Sequence, residues 1–187
     1  MDITHTRTMP RVLSLLVATA ATVSLIFLVG VSAADAAGSA QGFGFHAGDI
    51  SGFTNAGQVA LNGGGAFKLA ADTVHAGGGF SCTADVGAGF LQGCQQGEGV
   101  RWDTDTLLPS TMFKCTGAAG EAAKPASTGA DTVVIQADFY RAGDANDESF
   151  TAQMIVSTQD IAPDIQGTQN VWVQSVGCGS ATVHFGA

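Results

Sequence analysis

Thr132–Tyr140 (TVVIQADFY) and residues 149–157 (SFTAQMIVS) decide the fold class. In the first, Val133, Ile135, Ala137 and Phe139 fall on one side of an extended chain. In the second, Phe150, Ala152, Met154 and Val156 do the same. Successive side chains of a strand point to opposite faces, so apolar residues at every second position mark a strand with one buried side. The residues between them, 141–148 (RAGDANDE), are polar and predict a hairpin loop.

The same reading extends outward in both directions. Downstream, residues 170–176 (NVWVQSV) and 181–185 (ATVHF) predict a last hairpin around Gly177, Cys178, Gly179 and Ser180. Upstream, residues 73–75, 79–85, 99–106 and 111–117 read as short strands. Residues 58–61 and 66–70 flank Gly63-Gly64-Gly65 and predict a first hairpin that turns at the glycines. No later segment repeats apolar residues with helical spacing. The best helical window, residues 118–124 (AAGEAAK), is short and contains Gly120. Roughly eight to ten short antiparallel strands with frequent glycine turns predict an all-β single domain, a β-sandwich or a small barrel.

The N-terminus reads as an address. Arg7 and Arg11 precede an uncharged run over residues 12–33, and small residues follow at Val31-Ser32-Ala33 and Ala34-Asp35-Ala36. A basic start, an apolar run and an A-x-A site together form a secretory signal peptide, with cuts expected after Ala33 or Ala36. The run is long enough to span a bilayer, so an uncleaved anchor is the competing reading. The expected organisation is a signal peptide at 1–36, a Gly-rich, partly flexible lead-in at 37–65, and a β-domain with two disulfides at 66–187.

All four cysteines, Cys82, Cys94, Cys115 and Cys178, lie in the exported part. An even number in an exported chain reads as two disulfides. No C-x-x-C pair occurs, so a structural zinc site and a reactive dithiol both lack their usual spacing. Four cysteines allow three pairings. Strand parity turns Cys82 and Cys115 inward with Phe80 and Phe113, and Cys94 follows a Gly-rich stretch as a loop residue would. That favours Cys82–Cys94 as a local closure and Cys115–Cys178 as a tie between distant strands.

Composition narrows the function. The chain has 16 acidic and 7 basic residues, a formal net charge of −9. That sign excludes a nucleic-acid binder and an anionic membrane surface as partners, since both need Lys and Arg. With 45% hydrophobic and 12% charged residues, a disordered tail is excluded too.

Chemical motifs are sparse. No G-x-S-x-G and no H-E-x-x-H occurs, and His46, His75 and His184 are scattered. Asp144, Asn146, Asp147 and Glu148 are calcium candidates, because oxygen-rich turns gather that ion. An EF-hand starting at Asp144 would need Gly and Glu where Ser149 and Ile155 stand, so a solvated acidic tip is the plainer reading. Asp103 and Asp105 share a predicted strand face with Arg101, and with His184 they are the candidates for a small secreted hydrolase. A local Arg–Asp pair on a solvated face is the plainer alternative. Trp102, Trp172 and Tyr140 would suit an aromatic platform for sugars. Val171 and Val173 flank Trp172, however, which points to a strand covered on both faces.

The expectation is therefore a secreted or cell-envelope β-domain, non-catalytic and without a cofactor. It would bind a protein or a glycan, or serve a structural role. The alternatives are a small secreted hydrolase and a calcium-stabilised extracellular module.

Overall fold

The computed structural model describes residues 38–141 and 149–186. The expected signal peptide at 1–36 and the calcium candidates Asp144, Asn146, Asp147 and Glu148 lie outside these residues. The strands are β1 (Gln41–Gly52), β2 (Val59–Lys68), β3 (Thr73–Cys82), β4 (Gly99–Leu107), β5 (Ser110–Phe113), β6 (Lys124–Ser127), β7 (Thr132–Tyr140), β8 (Phe150–Ser157), β9 (Val171–Val173) and β10 (Gly177–Gly186). Eight of them close into an antiparallel barrel in the order β1-β10-β9-β8-β7-β4-β3-β2, and β5 and β6 form a separate two-stranded sheet. Each barrel strand lies beside its neighbour in sequence, with β5–β6 as an excursion between β4 and β7. Closure of β1 onto β10 excludes the sandwich and removes the free edges an open sheet would expose. Among the described residues, no helix is long and apolar enough to cross a membrane.

The period-two pattern of β7 and β8 is matched residue for residue. Val133 pairs with Val156, Ile135 with Met154, Ala137 with Ala152, and Phe139 with Phe150. These side chains join Phe43, Phe45, Leu61, Phe67, Phe80 and Trp102 in a filled interior.

The glycine-rich stretch departs from expectation. Of the expected lead-in at 37–65, the described residues supply β1 and seven of the ten residues of β2, and Gly63-Gly64-Gly65 is not a turn, because β2 runs straight through it. Residues 73–75 and 79–82 likewise merge into the single strand β3 across Ala76, Gly77 and Gly78, and 83–85 lie beyond its end. The reason is the indole of Trp102. Its Nε1 donates to the Asn62 carbonyl at 3.0 Å, laying the ring along the inner wall. A Cβ on Gly63 would sit 2.6 Å from Trp102 Cζ2, and one on Gly78 would sit 2.0 Å from the Asn62 oxygen. Gly63 also has φ +153°, a conformation that L side chains rarely adopt. Glycine here is the room the ring and the bent wall need, not a chain break. The window 118–124 forms no helix; residue 124 begins β6.

Cys82 bonds to Cys94 and Cys115 to Cys178, the pairing that strand parity favours. The first staples the loop 83–98 across one end of the barrel. Val86 sits against Gly57 ahead of β2, and Phe90 stacks on Phe150 of β8, four strands away around the wall. Val86, Leu91 and Cys94 enter the core and plug that end.

The second disulfide anchors an arm. Phe113, Cys115, Ala126 and Ala162 pack on Val134, Ile155, Trp172 and Cys178, covering the outer face of β7, β8 and β9. Trp172 Nε1 donates to the Lys114 carbonyl at 2.8 Å. Val171 and Val173 face the barrel interior, so β9 is apolar on both sides, as its sequence predicts. Glu121 clamps the arm. Its carboxylate accepts the backbone N–H groups of Cys115, Thr116 and Gly117, the Thr116 hydroxyl, and Lys124 Nζ at 3.4 Å. Lys124 also reaches Asp164 at 3.1 Å. Burial alone would raise the Glu121 pKa, but these donors outweigh it and bring the pKa down from 4.5 to about 2.

Three predictions follow from this packing. Gly63→Ala forces a Cβ into Trp102 and the β3 wall, and should cost about 2 kcal/mol or more by chemical denaturation. Cys115→Ser with Cys178→Ser opens a loop of 63 residues, against 12 for Cys82–Cys94. Chain-entropy scaling gives losses of roughly 4 and roughly 3 kcal/mol, so the arm disulfide should be the costlier to remove. Because the folded pKa of Glu121 is depressed, its contribution is present above pH 4.5 and lost as pH falls towards about 2. The melting-temperature gap between the wild type and Glu121→Gln should therefore be full at pH 7 and close across that window.

Candidate functional site

The arm covers only one side of the barrel, and among the described residues nothing covers the outer face of β10, β1, β2, β3 and β4. Strand register lines up one lateral row across it, His184, Gly44, Gly64, Gly77 and Asp103, which runs on to Asp138 of β7 and Thr151 of β8. Three consecutive positions of that row carry no side chain. A neighbouring row runs Thr182, His46, Asn62, Gly79, Arg101 and Tyr140. The result is a band of bare backbone that curves round half of the convex outer wall, from His184 on β10 to Asp103 on the opposite side of the barrel. The His184 imidazole leans over Gly44, where a Cβ would be 2.7 Å from Nε2. Asn62 Oδ1 accepts the Gly79 N–H at 3.2 Å.

The charged end of this band is ordered by its own contacts. Arg101 Nη1 meets Asp103 Oδ2 at 3.0 Å, and the Tyr140 hydroxyl donates to Asp103 Oδ1 at 3.3 Å. The Arg101 guanidinium lies 3.9 Å from the Tyr140 ring centre. Thr151 Oγ1 donates to Asp138 Oδ1 at 3.1 Å. Burial first, and then the Asp103 and Asp138 carboxylates, raise the Tyr140 pKa, in keeping with a hydroxyl that donates to Asp103. Arg101 and Asp103 remain about half exposed, and such a surface pair adds little to stability.

The sequence-derived candidates separate in space. His184 is on β10 and Asp103 and Asp105 are on β4, four strands apart either way round the barrel. Asp105 also leaves the Asp103 register. A bulge interrupts the β4–β7 pairing between Asp103 and Thr106; Thr104, buried on the same side as Trp102, bonds the Gln136 carbonyl through its hydroxyl and accepts the Thr106 N–H. His46 and His75 are exposed on β1 and β3. Trp102 and Trp172 are core residues, 1% and 3% exposed, so no platform includes them. Tyr140 remains, with Arg101 stacked on its ring. Among the described residues, no group of three His, Cys, Asp or Glu side chains is placed to hold a metal ion. Gly64 reads from sequence as part of a turn, and Asn62 and Gly77 carry no signal there. The alignment of these glycines with His184 and Asp103 depends on strand register, which no local pattern shows.

No family model matches this chain, and neither does any curated protein or solved structure.

Proposed function

We propose that the protein is an exported, non-catalytic β-domain of the cell envelope or extracellular space. In this reading it binds a glycan across the open outer face of β10, β1, β2, β3 and β4. The observation that carries the reading is the row in which Gly44, Gly64 and Gly77 lie between His184 and Asp103. A stretch of wall without side chains lets a flat ring approach the backbone, and His184 at one end of the band, or Arg101 and Asp103 at the other, offers the donors and acceptors that hydroxyl groups need. A protein partner is less well supported, because the centre of a protein interface is apolar and aromatic. Among the described residues, the large apolar side chains left exposed are Leu69, Phe90 and Met112, and none is on this face. The separation of His184 from Asp103 and Asp105 counts against the hydrolase alternative, which needs convergent groups. Two disulfides accord with export.

The test is depletion of the purified protein by a panel of insoluble polysaccharides, including cellulose, chitin, mannan and peptidoglycan. At least one should retain it. Arg101→Ala and His184→Ala should each weaken retention about tenfold with an unchanged melting temperature. Retention by none, or retention that ignores both substitutions, rejects the reading.

A further inference from the structure

The two ends of the barrel are finished differently. One end is plugged by Val86, Leu91 and Cys94 under the Cys82–Cys94 staple. At the other, where β1 begins and β10 ends, the described residues supply no such plug. A single side chain spans it: Gln41 of β1 donates through Nε2 to the carbonyl of Ala130, just ahead of β7 on the opposite wall. Beside this strap lies an open cavity of about 570 Å³. Its floor is aromatic. Phe185 stacks with Phe43 at 6.0 Å and meets Phe67 edge-on at 6.2 Å, and Phe185 is only half-buried. Its rim holds Leu69, 52% exposed on a short 3-10 turn, together with Ser39 and Asp131.

We propose that this open end is a binding site for a small, uncharged apolar ring compound that carries a hydrogen-bond donor. The cavity falls within the roughly 300–1,000 Å³ of small-molecule sites, and the mouth of a β-barrel is a common place for one. Aromatic edges and faces at the floor suit a ring. The rim acceptors, the Asp131 carboxylate and the Ser39 hydroxyl, suit a donor at its edge. Asp131, in a chain of net charge −9, repels an anionic ligand of the same shape. The site is independent of the glycan reading, since it lies at the end of the barrel and not on the outer face.

Two probes that share one ring system test it. N-phenyl-1-naphthylamine is neutral and carries an N–H; 8-anilino-1-naphthalenesulfonate adds an anionic sulfonate. Titrated into the purified protein, the neutral probe should give a saturable fluorescence rise at one site. The sulfonate should bind at least about tenfold more weakly, a gap that Asp131→Asn narrows. Leu69→Asp and Ala130→Trp should each abolish the signal with an unchanged melting temperature. Met112→Asp, which alters an exposed apolar residue on the arm, should leave it intact. Absence of saturable binding, equal binding of the two probes, or loss on Met112→Asp but not on Leu69→Asp overturns the proposal.

Discussion

Pairing of β1 with β10, from Gly42 opposite Gly186 to Gly52 opposite Gly177, is the constraint on which the other features rest. It joins the first described strand to the last and turns a meander into a closed wall. Closure satisfies the backbone groups that two edge strands would otherwise expose. It also fixes an interior of set width, which Phe43, Phe45, Phe67, Phe80, Trp102 and Phe139 fill. A wall bent that tightly cannot carry side chains everywhere. Where Trp102 lies flat against β2 and β3, glycine is the residue that fits.

The same closure explains why the outer surface is divided. β7, β8 and β9 carry apolar residues on both faces, such as Val134 and Ile155 outward and Ile135 and Met154 inward. Their outward side chains require a cover, and the β5–β6 arm with the loop after β8 supplies it. Cys115–Cys178 and the Glu121 clamp hold that cover in place. The strands from β10 round to β4 carry glycine, histidine and charged residues outward and need no cover.

That the chain is all-β is written locally, since the alternation of Thr132–Tyr140 and its partner strand is a property of side-chain direction alone. So is the covering of β9 on both faces, through Val171, Trp172 and Val173. Parity of Phe80 with Cys82 and of Phe113 with Cys115 also pointed to the disulfide pairing. Only the tertiary structure decided between sandwich and barrel, because that choice rests on the pairing of two strands at opposite ends of the chain. It alone made the Gly63–Gly65 run a strand and not a turn, because the reason is a tryptophan about forty residues away. It alone brought His184, three glycines and Asp103 into one row and kept His184 four strands from the carboxylates. Register between distant strands is a long-range property that no local pattern encodes.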